Sequence, residues 1–361
     1  APGDQIFYNV LDPNGRSAGE VAALAGVSVS TASRVLSGTY PIAEATRGRV
    51  VAAMRELGYS EARARRREAT RTIGVIVPDV RSTQVSGGLG GIDAAAVEHG
   101  RISMIFPTEG DVDRERDIVR LVARQRELDA VVFVGGVYAS ADYADRLGDY
   151  ATMLEEIDAR LVMCARPGRI PADRALAAGY DNTGGAFAIT SHLLSRGHTR
   201  VAWVGGVEEY STTEGRIAGM RAALAAHGLD PAAVYTDPSP RRSRRSPAPD
   251  QAYAHTVALL REHPDVTAIV ANSDFHALDV VRALTDAGLS VPEDMSVVGY
   301  DDDRVAQRLH PPLTTVHLPV FDLGWEAARL AVEKPLPGHA GSVVELGTHV
   351  VVRDSVAAPR R

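Results

Sequence analysis

Apolar positions fall into two regimes along this chain. Through residues 17–58 they recur at helical spacing. From Thr72 onward they gather into short unbroken runs separated by amphipathic stretches. In the first regime Ser17 begins a helix, with Glu20 three residues later. Hydroxyl and carboxylate there each satisfy a backbone N–H, a reciprocal cap. Val21, Leu24 and Ala25 form the apolar face, and Gly26 ends the helix. Ser28 opens a second helix, VSTASRVL, with Ala32, Val35 and Leu36 turned inward. A third runs from about Glu44 to Leu57, with Val50, Met54 and Leu57 at helical period and Gly58 at the C-terminal cap. Helix, glycine turn and second helix make a helix-turn-helix.

In the second regime the runs IGVIVP, ISMIF, AVVFV, RLVMC, RVAWVGG, TAIVA and MSVVGY predict buried parallel strands. Helices are expected near 88–99, 113–127, 141–157, 184–196, 214–227 and 275–287. This is the βαβ rhythm of doubly wound sheets, and its length suits two lobes better than one. Between the regimes, SEARARRREATR (60–71) is polar, arginine-rich and without an apolar stripe, and reads as a linker. PSPRRSRRSPAPD (238–250) reads as a solvated surface insertion.

Charge sharpens the division. The 361 residues carry a formal net charge of −7, yet residues 16–71 hold ten arginines and five glutamates. A basic head on an acidic body implies a polyanion partner for the head. The single cysteine, Cys164, excludes an intrachain disulfide framework and a multi-cysteine zinc site, and reads as packing. No apolar run reaches membrane-spanning length, and the first residues lack a basic-then-apolar leader, so a cytoplasmic protein with no membrane partner is expected. No glycine-rich phosphate loop follows the first strand, and neither a metal-spaced histidine cluster nor a nucleophile elbow is present. His276 and Asp279 share a helix face, which is too little for a metal. Neither an enzyme nor a cofactor is expected. Trp203 reads as core, Trp325 as helix packing, and His192 and His198 as structural.

The stretch SAGEVAALAGVSVSTASRVLSGTYPIAEATRGRVVAAMRELGY resembles the head of the lactose-repressor (LacI/GalR) family. IGVIVPD, YDNTGGAFAITSHLLSRGHTRVAWVGG, TTEGRIAGMRAALAAHGL and VPEDMSVVGYDDDRVAQRLHPPLTTV extend the likeness over about residues 17–357. The resemblance implies an α/β chain in three parts: a helix-turn-helix DNA-binding head (16–59), a hinge (60–71) and a two-lobed, periplasmic-binding-protein-like sensor that also dimerises (72–361). It implies a homodimeric transcriptional regulator, a repressor by expectation, whose grip on double-stranded operator DNA is set by a small polar effector such as a sugar. The alternative is a solute-binding protein without a regulatory role; it would leave residues 17–58 unexplained.

By that match Val29, Ser30 and Arg34 fall at base-reading positions, and Ser17, Ser28, Thr31 and Ser33 at phosphate or capping positions. Arg65 and Arg66, with Arg63 and Arg67, are suited to phosphates or a narrow minor groove. The family's hinge wedges a leucine into the minor groove; this chain has Glu68 there, so weak bending is expected. In the sensor, Arg216 and Asp301 fall on ligand-contacting positions, an arginine fork and a carboxylate suited to neighbouring hydroxyls. Ser273, Asp274, Phe275 and Arg166 lie at expected strand ends. Where the family often places stacking aromatics after the first strand, this chain has STQVSGG, so Ser82, Gln84 and Ser86 are expected to hydrogen-bond instead. Alanine at Arg216 or Asp301 is expected to abolish the ligand response while sparing the ligand-free fold.

Arg34 supplies the sharpest test of the head. Its fork matches guanine O6 and N7, so Arg34→Ala costs about 1–3 kcal/mol on the operator and far less on random DNA. Binding isotherms on both sequences check this; equal losses would remove the base-reading role.

Overall fold

The computed structural model describes residues 18–37, 42–57, 71–124, 127–138, 142–165, 176–232, 234–239, 251–333 and 342–360. The chain divides into two compact units, residues 1–70 and 71–361.

The first unit has three helices, α1 (Ala18–Ala25), α2 (Val29–Ser37) and α3 (Glu44–Glu56). Gly26 turns the chain between the first two at φ +62°, a conformation that costs glycine nothing. Ser28 caps α2: its Oγ accepts from the Thr31 N–H at 3.1 Å. Val21, Ala25, Val50 and Ala53 make a small core, with Val35 and Leu57 packed on it. Leu24 departs from expectation, being exposed. Ala22 takes the inward place on α1 instead.

The second unit holds two sheets. Strands β1 (Thr72–Val77), β2 (Ile102–Pro107), β3 (Leu128–Val134), β4 (Arg160–Cys164), β5 (Leu176–Tyr180) and β11 (Val343–Leu346) form one, in the order β11-β5-β4-β3-β1-β2. Every pairing in it is parallel. Helices α4 (Thr83–Glu98) and α12 (Val320–Val332) cover one face, and α5 (Val112–Val122) and α6 (Tyr143–Glu155) the other. Strands β6 (Val201–Val207), β7 (Tyr235–Ser239), β8 (Ala268–Ala271) and β9 (Ser296–Val298) form the second sheet, in the order β7-β6-β8-β9, again parallel. Helices α7 (Asn182–Ser195) and α8 (Ser211–Ala226) cover one face of it, α9 (Gln251–Glu262) and α10 (Asp274–Asp286) the other, with short α11 (Arg304–Arg308) beside them. Trp203 is fully buried in this lobe, and Trp325 is partly buried against the core of the other. His198 is buried too, its ring nitrogens meeting Thr267, Ser296 and the Ala357 carbonyl.

The chain passes between lobes from β5 into α7, and twice more through β10 (Thr315–His317) and β12 (His349–Val351), which pair antiparallel. Parallel strands in both sheets point their C-terminal ends toward the space between the lobes, where a doubly wound fold gathers its loops. No described helix is long and apolar enough to cross a membrane.

Two helix boundaries depart by five residues: α5 ends at Val122 instead of 127, and α4 begins at Thr83 instead of 88. Its run SGGLGG has low helix propensity. The helix forms because those glycines are its contact face with α12. A Cβ on Gly91 would fall on the Phe321 carbonyl and within 2.8 Å of the Trp325 nitrogen; one on Gly324 would meet the Gly88 backbone. Gly91→Ala therefore destabilises by about 1–3 kcal/mol through overpacking. Gly148→Ala, mid-helix with open space around it, stabilises by about 0.5–1 kcal/mol. Denaturant unfolding of the two variants should give opposite signs.

Candidate functional site

A cleft of about 510 Å³ opens between the two sheets. Its walls come from the C-terminal ends of strands in both lobes: the turns after β1, β2, β3 and β4 on one side, and those after β6, β8 and β9 on the other.

On the second lobe, Arg216 and Asp301 come together as expected. Their Nη2 and Oδ1 lie 3.3 Å apart, with both side chains about 5% exposed or less. The arginine is held in full. Nε donates to Asn182 Oδ1 at 2.9 Å, Nη1 donates to the Asn272 carbonyl, and the guanidinium lies 3.8 Å above the Tyr300 ring. Burial works against its charge, while Asp301 and the neighbouring Tyr180 and Tyr300 hold it protonated. Burial pushes the Asp301 carboxyl up to about 7, with Arg216 pulling it back down. Asp301 takes φ +114°, a strained setting for a non-glycine residue, and it aims the carboxylate inward from the loop after β9.

Ser273 lines the cleft and caps α10, its Oγ accepting from the His276 N–H at 3.3 Å. His276 Nε2 accepts from the Gly206 N–H at 3.4 Å, which leaves the proton on Nδ1 to donate to Ser273 Oγ at 2.6 Å. Burial lowers this imidazole to about 4, and Arg216 adds to the effect, so it is neutral at ordinary pH.

Asp274 and Phe275 depart from expectation, since neither lines the cleft. Asp274 is fully buried beneath it: Thr315 Oγ1 donates to its Oδ1 at 2.6 Å, and the Asp303 N–H to its Oδ2 at 2.7 Å. Burial lifts this carboxyl to about 8. Its work is to hold the loop that carries Asp301. Phe275, one step further on α10, faces out and is 47% exposed. The helical turn of about 100° per residue carries consecutive side chains to different faces, which a strand-end argument overlooks.

On the first lobe, Ser82 and Gln84 line the cleft as expected; Ser86 does not. Ser82 caps α4 and donates from Oγ to Gln84 Oε1 at 3.0 Å. Arg166 lies outside the described residues. Sequence reasoning missed several lining groups. Glu115 and Arg146 form a buried pair 3.3 Å apart, from α5 and α6. Tyr138 and Tyr210 follow β3 and β6 and meet across the lobes with ring centroids 5.0 Å apart, close to edge-on. A β-bridge joins these tyrosines, the Ser211 N–H donates to the Val137 carbonyl at 2.9 Å, and the Val137 N–H donates to Ser211 Oγ at 3.1 Å. Gly136 makes room, since a Cβ there would come within 2.6 Å of the Tyr210 ring. Aromatic walls are thus supplied after β3 and β6, where the polar STQVSGG gives no sign of them.

In the first unit, Ser30 and Arg34 lie exposed, one helical turn apart on α2. Val29 and Thr31 are partly covered, and the Ser28 hydroxyl is shared with those of Ser30 (3.0 Å) and Thr31 (2.8 Å). The Ser33 side chain, Ser17, Arg63, Arg65, Arg66, Arg67 and Glu68 lie outside what is described.

Two family models match the chain: bacterial regulatory proteins, lacI family, over residues 19–61, and periplasmic binding protein-like domain over residues 190–356. The HTH-type transcriptional regulator CelR of Thermobifida fusca is 33% identical over 349 residues, covering 93% of this chain and 96% of the relative. The HTH-type transcriptional repressor PurR of Vibrio campbellii is 31% identical over 342 residues, covering 93% and 97%. Among solved structures, a transcriptional regulator CelR–cellobiose complex superposes with a TM-score of 0.65 at 30% identity, covering 93% of this chain and 98% of that one.

The burial of Arg216 revises one expectation, that alanine there would spare the ligand-free fold. Removing it leaves Asp301 as a buried carboxylate with no counter-charge. Arg216→Ala lowers stability by about 3–5 kcal/mol without any ligand present. Chemical unfolding measures this; a variant as stable as the parent would mean that the pair is solvated.

Proposed function

Because this chain belongs to the lacI family of bacterial regulatory proteins, DNA-binding transcriptional regulators, we propose that its interlobe cleft is the effector site that sets operator affinity. The observation that carries the reading is the Arg216–Asp301 pair, buried and yet open to a cleft of about 510 Å³. That volume lies in the range of small-molecule sites. Guanidinium donors and carboxylate acceptors held side by side fit vicinal hydroxyls, and Ser82, Gln84 and Ser273 add polar contacts around them. A sugar is the effector class these groups suit. Cellobiose in the CelR complex and ribose in an Enterococcus faecium relative's structure agree with that choice.

The helix-turn-helix reads the operator through Arg34, Ser30 and Val29, with Ser17, Ser28, Thr31 and Ser33 toward the phosphates and Arg65 and Arg66 adding charge from the linker. The domain limits are 16–59, 60–71 and 72–361. The protein acts as a cytoplasmic homodimer and carries no catalytic chemistry. Support for self-association comes from the edge strand β2, where Ile102 and Ile105 are 54% and 45% exposed, a surface that proteins ordinarily cover. Ligand moves operator affinity only by binding the DNA-competent and DNA-incompetent states unequally.

The test is to select operator sequences from a random duplex pool with the full chain, then titrate sugars against the complex. At least one sugar should shift operator affinity. Gln84→Ala should weaken the hold on that sugar by about 0.5–1.5 kcal/mol, read as a higher concentration needed for the same shift. An unchanged midpoint would place the effector elsewhere.

A further inference from the structure

Among its described lining residues the cleft carries five carboxylates, Asp79, Glu109, Asp111, Glu115 and Asp301, against three arginines. Each of those arginines already faces an acid. Arg216 pairs with Asp301 at 3.3 Å and Arg146 with Glu115 at 3.3 Å. Arg81, at the exposed rim, lies 3.8 Å from Asp79 and 3.6 Å from Glu109. The one lining imidazole, His276, uses one ring nitrogen to accept from Gly206 and the other to donate to Ser273.

Helix N-termini are the other places where an anion could be received, since their first N–H groups and dipole favour negative charge. Three of those at the cleft answer their own N–H groups. Ser82 Oγ accepts from the Val85 N–H of α4 at 3.5 Å, and Asp79 Oδ1 accepts from the N–H groups of Arg81 and Ser82 just ahead of it, at 2.7 and 3.2 Å. Asp111 Oδ1 accepts from those of Asp113 and Arg114 on α5, at 2.8 and 3.0 Å. Ser273 caps α10. α8 and α12 have no side-chain cap, but their first N–H groups are used: Ser211 donates across the cleft to the Val137 carbonyl, and Val320 to the Leu318 carbonyl.

We propose that this cleft, taken as the effector site above, selects an uncharged polyhydroxyl compound and rejects its anionic derivatives. A hydroxyl can donate to a carboxylate or accept from a protonated one, and it leaves the ion pairs intact. A phosphate or carboxylate must either sit beside those acids or displace one from its arginine. The first route costs like-charge repulsion, and the second strands a buried carboxylate. Tyr138 and Tyr210 add apolar ring surface suited to the C–H faces of a sugar.

The experiment is calorimetric titration of the full chain at physiological salt. The probes are neutral hexoses, pentoses and disaccharides, with glucose, ribose and cellobiose among them. Each is set against a charged counterpart, such as glucose 6-phosphate, glucuronate or ribose 5-phosphate. The neutral member of any binding pair should bind at least tenfold tighter, and Glu109→Gln should narrow that ratio. A charged member binding as tightly as its parent, or more tightly, overturns the charge argument while leaving the effector site in place. A panel with no binder at all overturns the sugar-site reading and this inference with it.

Discussion

A guanidinium taken out of water must have its charge and its N–H donors answered by the protein, and Arg216 draws those answers from separate stretches of chain. Asp301 comes from the loop after β9, the Asn272 carbonyl from the end of β8, Asn182 from the first crossing between lobes, and Tyr300 from beneath. None of these can move alone without leaving a buried polar group unanswered. The strained backbone at Asp301 and the buried anchor at Asp274 serve this arrangement, one aiming the carboxylate and the other fixing its loop. The same group that organises the second lobe is also the one presented to the cleft. Under the proposed effector site, recognition and folding draw on one set of contacts, so substitutions there affect both.

What could be read beforehand followed from local rules. Parallel strands appeared as unbroken apolar runs, and RLVMC ends where β4 ends. The turn at Gly26 and the cap at Ser28 were legible because a single residue's chemistry decides each of them. Family motifs placed Arg216 and Asp301 together although 85 residues separate them in sequence. Apart from Phe275, which the local helical turn carries outward, the misses come from contacts between segments. Local propensity argues against a helix through SGGLGG, and only α12 lying against it makes those glycines necessary. Tyr138 and Tyr210 are unremarkable in sequence, since their pairing exists only once β3 and β6 stand in different sheets with their ends facing. Glu115 and Arg146 lie on separate helices, and nothing local in the sequence says that they meet. They are buried because α5 and α6 meet over the first sheet and turn those side chains together.

Two crossover strands, β10 and β12, tie the lobes together by antiparallel pairing. At the cleft, the Tyr138–Tyr210 bridge and the Val137–Ser211 hydrogen bonds tie them a second time. Both tyrosines also line the cleft, so its wall and this tie are made of the same side chains. The ring contact exists only while the two lobes are apposed, which makes the pair a built-in reporter of their separation.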